Sequence, residues 1–301
     1  MLEHLQNIKA RLRKRAGLIS ALRAYFDEQD FIEVETPIVI ESPAPEEYIE
    51  GIPVENAFLR TSPELQMKEM LCAGYEKIYQ IGACFRKNEF GKRHRPEYTM
   101  LEWYETDINY LQLMEFTAEL LRSAAQKINT SLSLEYQGQI IDLSSPQEII
   151  TVKEAYMKYA GVDLDTIATE EEFDEIMTSK IEPHLGIGQM TFLIDYPANR
   201  AALARLKADN PNVAERWELY LGGMEIANAY GELIDPDEQR KRFEEAQAHR
   251  AKNNFISYPF PEKFLKALES GMPECSGCAL GVDRLAMIFT DTTDISDVSM
   301  K

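Results

Sequence analysis

Residues 85–104 read FRKNEFGKRHRPEYTMLEWY, an apolar strand end running into a proline-stopped cationic loop and then into a second strand. The flanking segments Lys77-Ile-Tyr-Gln-Ile-Gly-Ala-Cys-Phe85 and Tyr98-Thr-Met-Leu-Glu-Trp-Tyr104 are rich in β-branched and aromatic residues, which suit a pleated, half-buried surface. Side chains alternate along a strand, so Tyr98, Met100, Glu102 and Tyr104 share one face while Thr99, Leu101 and Trp103 share the other. One face can serve a ligand and the other a core. The loop between carries Arg86, Lys87, Lys92, Arg93, His94 and Arg95 in a chain whose formal net charge is -19. Such local positive charge predicts a hairpin that grips an anion.

The remaining sequence bounds what surrounds this hairpin. A chain of 301 residues with 45% hydrophobic content can bury a sizeable core, and it reads as one domain with a helical insertion at about residues 146–182. No stretch reaches the roughly 20 apolar residues that span a bilayer, and the start MLEHLQNIKARLRKR lacks a signal-peptide core. A cytoplasmic protein with no membrane partner is expected. Cysteines 72, 84, 275 and 278 make no secreted disulfide framework in a chain this long. Cys275-Ser-Gly-Cys278 has the spacing of a metal or redox site, but no second such pair accompanies it, so reduced thiols are expected.

Along the chain, Leu5, Ile8, Leu12, Ile19, Leu22 and Phe26 form an apolar helical stripe. The basic patch from Arg11 to Arg15 on that helix reads as a solvated face. Ser62-Pro63-Glu64 carries the cap, first-turn proline and acid of a helix start. Helices are also predicted at residues 111–128, 237–252 and 261–268, and strands at 190–195 and 216–221. The acidic run 170–175 reads as the solvated surface of the insertion. Long-range, mostly antiparallel pairing with helices around it predicts an α+β fold.

The hairpin resembles motif 2 of the class II aminoacyl-tRNA synthetases, and RHRPEYTMLEWY is similar to their lysine branch. Gly277-Cys-Ala-Leu-Gly-Val-Asp-Arg284 with Leu285-Ala-Met-Ile-Phe289 looks like motif 3, and Phe31-Ile-Glu-Val-Glu-Thr-Pro37 looks like motif 1. Thr61-Ser-Pro-Glu64 and Gly223-Met-Glu-Ile-Ala-Asn-Ala-Tyr-Gly-Glu-Leu233 match the amino-acid and ATP segments of lysyl-tRNA synthetases. Five ordered matches over nearly the whole chain make coincidence a poor explanation. The chain begins directly at the motif 1 helix, with no anticodon-binding barrel before it. That architecture is similar to the elongation factor P lysine ligases, which attach β-lysine or lysine to a lysine side chain of elongation factor P. With 32 basic against 51 acidic residues, little beyond the hairpin loop could attract RNA, so no tRNA partner is expected.

The resemblance implies ATP and Mg²⁺ as cofactors and adenylate formation, in which a carboxylate attacks the α-phosphorus and the protein supplies position and charge. It places Arg86 on the α-phosphate and Arg284 on the γ-phosphate as the catalytic pair, with His94 on the phosphates. Tyr98, Glu225, Ile226 and Gly281 complete the implied ATP set. Asn88 stands where relatives carry an adenine-contacting Glu and Glu89 follows it, so either can serve. Ser62, Glu64, Glu102, Tyr104, Asn228, Glu232 and Ala279 match the lysine pocket. Glu225 and Glu232 match the metal-binding acids, which leaves Glu232 assigned both to metal and to substrate amine. Those two have opposite parity along a strand, so sharing a face requires a break or bulge near Ala229-Tyr-Gly231.

Three further features complete the reading. Ala279 stands where lysyl-tRNA synthetases resembling this chain have Gly, and a methyl at that point is expected to favour (R)-β-lysine over α-lysine. Arg95 and Asn-Ala-Tyr-Gly-Glu depart from the family's His-Asn-Pro and Asn-Gly-Phe-x-Glu, which bears on the ATP contacts. Motif 1 implies a homodimer. The competing functions are a free-standing activating enzyme with another acceptor and a non-catalytic regulator, although a regulator has no chemical need for paired phosphate-binding arginines.

Overall fold

The computed structural model describes residues 2–300. In chain order, helix α1 (Leu2–Glu28) leads into the short strands β1 (Ile32–Glu33), β2 (Val39–Ile40), β3 (Ile52–Val54) and β4 (Ala57–Leu59). Helix α2 (Glu64–Cys72) precedes the hairpin β5 (Lys77–Phe85) and β6 (Glu97–Thr106), and helix α3 (Tyr110–Asn129) follows. Next come β7 (Ser133–Tyr136), β8 (Gln139–Asp142), β9 (Glu148–Thr151), the helices α4 (Val152–Ala155) and α5 (Glu170–Ile176), and β10 (Thr191–Ile194). The chain continues through β11 (Arg216–Leu221), β12 (Met224–Gly231), α6 (Pro236–Lys252), α7 (Glu262–Glu269), β13 (Cys275–Gly281) and α8 (Val282–Phe289).

Eight strands form one sheet in the order β1-β5-β6-β13-β12-β11-β10-β9. Its centre is antiparallel, and only the outer pairs β1–β5 and β9–β10 are parallel. This is the expected α+β architecture. The alternation foreseen in β6 holds: Leu101 and Trp103 enter the main core with Phe26, Trp217, Ala229 and Leu280, beneath α1, α3 and α8. The opposite face is left free for the site.

Local sequence explains the element ends. Asn109 caps α3 and Gln112 reciprocates, while Asp235 caps α6 with Pro236 in its first turn, so amide groups without helical partners are satisfied. The α2 expectation is shifted: the helix begins at Glu64 with Pro63 at the cap position, and Ser62 Oγ accepts only a long 3.4 Å bond from the Glu64 amide. The helical reading of residues 146–151 is also corrected. Glu148–Thr151 pairs in parallel with β10 as an edge strand, and helical structure starts at Val152, where the Thr151–Glu154 capping box opens α4. From there to Leu185 the chain packs Tyr156, Phe173 and Ile181 into a small core that it shares with Leu193, Tyr196 and Tyr220 from the sheet side.

The basic patch on α1 is not wholly solvated. Arg15 donates to Asp283 Oδ1 from Nε at 3.0 Å and Nη2 at 2.7 Å, and to Thr99 Oγ1 at 2.8 Å. Asp283 Oδ2 in turn accepts from the Thr99 amide at 2.7 Å, so one guanidinium ties α1 to β6 and α8. The CxxC pair splits across β13, with Cys278 in the main core and Cys275 in the cluster beneath α2 and α7. Burial pushes both thiols upward, as inert core cysteines require.

Candidate active site

The free face of β6, β12 and β13 is the floor of two adjoining cavities. A shift of register on β12 makes this possible. Pairing passes from Leu219 opposite Ala227 to Tyr220 opposite Glu225, leaving Ile226 as an extra residue on the bulged strand. That one residue reverses the parity upstream of it, so Glu225 joins Asn228 and Tyr230 at the same cavity. The bulge expected near residues 229–231 therefore lies at Ile226.

The larger cavity, about 670 Å³, is lined by Arg86, Glu89, His94, Tyr98, Glu225, Ile226, Gly281 and Arg284 among others. The two arginines thus reach one nucleotide-sized space from opposite ends of the chain. Arg86 lies over the Tyr98 ring at 5.3 Å, and its buried Nε has no hydrogen-bond partner. Arg284 Nη1 donates to the Glu225 carbonyl at 3.0 Å and to Glu225 Oε2 at 3.1 Å, while Nη2 stands 2.5 Å from His94 Nε2. Burial and the Arg284 charge lower the His94 pKa, so the ring is neutral and accepts from the guanidinium. The hairpin loop is held above by Arg93, which donates to the Gly223 carbonyl at 3.1 Å, and by the Lys92 carbonyl, which accepts from the Ile295 amide at 2.8 Å. Of the two candidates for the adenine contact, Glu89 lines the cavity, whereas Asn88 is an exposed left-handed turn residue with φ 66°.

The smaller cavity, about 60 Å³, is lined by Ser62, Glu64, Glu102, Tyr104, Asn228, Glu232 and Ala279, which brings the predicted lysine set together. Beneath it lies Lys68, a residue the sequence reading did not single out. Its ammonium is 2.6 Å from Glu64 Oε1 and 2.5 Å from Glu232 Oε2. Burial alone would discharge Lys68, but the charges of Glu232 and Glu64 outweigh it and keep the ammonium protonated. Tyr104 donates to Glu102 Oε1 at 2.6 Å, and the buried Glu102 Oε2 has no partner. Burial, reinforced by the Glu64 charge, pushes the Glu102 carboxyl up to about 8. Gly277 is required here because a β-carbon would collide with the Tyr104 ring and the Glu232 carboxylate. Ala279 sits in register between Glu102 on one side and Asn228 on the other.

Glu225 and Glu232, the two acids that the resemblance assigns to metal, stand seven positions apart in the chain, and Glu232 is paired with Lys68. The acid that accompanies Glu225 is Glu218 of β11, which lines the same cavity. Burial and the charge of Glu225 raise the Glu218 pKa, the signature of two carboxylates facing one space. Glu182, from the end of the insertion, is pushed up to about 7 by burial and by these same two charges. Among the described residues no group of three or more His, Cys, Asp or Glu encloses a metal unaided. Two carboxylates that leave coordination open to phosphate oxygens and water nevertheless suit Mg²⁺. A single acid inside the apolar strand Arg216-Trp-Glu-Leu-Tyr-Leu221 was the available sign of Glu218.

Comparison with known proteins agrees with this geometry. Residues 2–300 match the family described as tRNA synthetases class II (D, K and N). The chain is 39% identical to the elongation factor P (R)-β-lysine ligase of Proteus mirabilis, covering 96% of this chain and 94% of that protein. It is 36% identical to the lysine–tRNA ligase of Moorella thermoacetica over 94% of this chain, and 35% identical to that of Prochlorococcus marinus. It spans 63% and 60% of those two longer relatives, respectively.

Proposed function

The chain belongs to the class II tRNA synthetases of the D, K and N group and is an ATP-dependent ligase, and from that premise we propose that it activates β-lysine or lysine as an aminoacyl adenylate. The acyl group then passes to a lysine side chain of elongation factor P, releasing AMP. The observation that carries this reading is the junction of an arginine-lined cavity with a pocket of three buried carboxylates around one lysine. Glu64, Glu102 and Glu232 against Lys68 leave two negative charges when all are ionised, which balances the two ammonium groups of a diamino acid. The similarity to the Proteus mirabilis ligase, which extends along nearly all of both chains, supports the protein acceptor over tRNA.

In this mechanism Arg86 holds the α-phosphate beside the amino acid's carboxylate, and its fixed fork stabilises the charge that develops during attack. Arg284, released from Glu225 and His94, takes the γ-phosphate. Glu218 and Glu225 would hold Mg²⁺, which when bound neutralises phosphate charge. Ala279, between the residues that frame the pocket, displaces the substrate's amine and favours (R)-β-lysine. The same reading makes the protein a cytoplasmic homodimer, supported by the exposed apolar residues Ile32, Ile38 and Val39 that follow α1 in the chain. Among the described residues no helix is long and apolar enough to cross a membrane.

Incubating the enzyme with ATP, (R)-β-lysine and elongation factor P, followed by mass spectrometry, tests the acceptor. A gain of one lysyl unit on a single lysine is expected. An unmodified factor, in the presence of active adenylate formation, would assign a different acceptor.

A further inference from the structure

Acyl transfer to a lysine side chain requires a proton acceptor, because the ε-ammonium has no lone pair with which to attack. Six residues line both cavities and so mark the point where an amino acid's carboxyl group would meet the α-phosphate: Glu46, Arg86, Met100, Asn228, Tyr230 and Ala279. Met100, Ala279 and the Asn228 amide are not bases, and Arg86 keeps its proton at working pH. Burial raises the Tyr230 phenol far beyond neutrality. Only Glu46 remains.

Its position is fixed while its carboxylate is free. Glu46 lies in the loop between β2 and β3, where its amide donates to the Ala44 carbonyl at 2.8 Å. Its own carbonyl accepts from Arg250 Nη1 at 2.7 Å, and the buried Arg250 also clamps the carbonyls of Ile49 and Ile256. The Glu46 side chain has no hydrogen-bond or ion-pair partner among the described residues. The charges that face it are Arg86, Glu64, Arg216 and Arg250, and burial outweighs them to push its carboxyl up to about 7. His94, the other neutral base of the site, stands against Arg284 and lines only the larger cavity.

Resting on the ligase reading above, we propose that Glu46 is the catalytic base of the acyl-transfer step. The acceptor's ε-ammonium gives one proton to the Glu46 carboxylate, and the freed lone pair forms the C–N bond at the acyl carbon. The C–O bond to phosphate breaks and its electron pair leaves on AMP. The second proton on nitrogen passes to solvent, completing the amide.

The test uses adenylate preformed on the full-length enzyme from ATP and (R)-β-lysine. It is quenched in parallel with Nα-acetyl-lysine amide, whose side chain is an ammonium at pH 7, and with hydroxylamine, which is already neutral there. In Glu46→Gln the ratio of alkylamine to hydroxylamine transfer is expected to fall about 100-fold, within the range of general-base catalysis. Glu46→Asp, which keeps a carboxylate, is expected to recover part of that ratio. An unchanged ratio, or equal losses with both nucleophiles, overturns the proposal. So does a raised KM for the amino acid as the sole effect, since Glu46 would then be an ammonium ligand. Elongation factor P in a third arm separates the two readings: if it is not modified while the alkylamine ratio collapses, the acceptor is wrong and the base is right.

Discussion

The Lys68 ammonium lies 2.5 Å from Glu232 Oε2, with both side chains 1% exposed, so an ion pair is sealed beneath the smaller cavity. Burying a lone charge is expensive, and removing one partner of such a pair costs about 3–5 kcal/mol because the other is left uncompensated. Lys68→Met should lower stability by that order in denaturant melts. Adding Glu232→Gln should recover much of the loss, and a fully additive double variant would show that the pair is not coupled.

Glu102 gives the ligand-free protein a pH dependence with a definite sign. Its carboxyl is raised to about 8 in the fold, chiefly by burial, against about 4.3 in an unfolded chain. Between those values the folded state holds the extra proton, so this group's contribution is complete below about pH 4.3 and is lost as pH rises through about 8. Glu102→Gln should flatten this fall in melting temperature, and in the wild type a diammonium substrate should reduce it. A variant with an unaltered slope would remove Glu102 as the cause.

Ala279 lies opposite both Glu102 and Asn228 and lines both cavities, which on the proposed reading puts its methyl group beside the substrate's amine. A change of this size is worth about 1–3 kcal/mol in a pocket. Ala279→Gly should move the kcat/KM ratio toward α-lysine by roughly tenfold or more. Equal selectivity in both proteins would place the β-lysine preference elsewhere.

Glu218 and Glu225 face one space from adjacent strands, and their mutual repulsion is the kind a divalent cation relieves. Glu218→Gln or Glu225→Gln should raise the Mg²⁺ concentration needed for half-maximal adenylate formation. Glu232→Gln should instead raise the KM for the amino acid. A metal effect confined to Glu232→Gln would reverse the assignment made here.

Much of this site was legible because strand alternation and ordered motifs are local signals. The split of β6 into a ligand face and a core face followed from period two alone, and Arg86 and Arg284 stood in recognisable contexts. The parity conflict between Glu225 and Glu232 was also visible, but its remedy at Ile226 depends on pairing with β11, which no local pattern encodes. Lys68 carried a weak sign, its spacing of four from Glu64 on a helix; the second partner, Glu232, comes from far along the chain. Glu46 had no sign at all, since an acid in a proline-rich loop gains meaning only when two cavities close around it. Arg15 was misjudged for a related reason: a basic helix face reads as solvated until Asp283 and Thr99 are folded against it.

The central claim is that Arg86 and Arg284 act on one triphosphate beside a diamino-acid pocket. Amino-acid-dependent exchange of pyrophosphate into ATP, measured with α-lysine and (R)-β-lysine in parallel, tests it most directly. Exchange is expected with a lysine isomer, with (R)-β-lysine the better substrate, and it should drop by about 100-fold or more in Arg86→Ala and in Arg284→Ala, on the scale of losing one charge-stabilising donor. Absence of exchange with either isomer, or full exchange after loss of either arginine, would contradict the account.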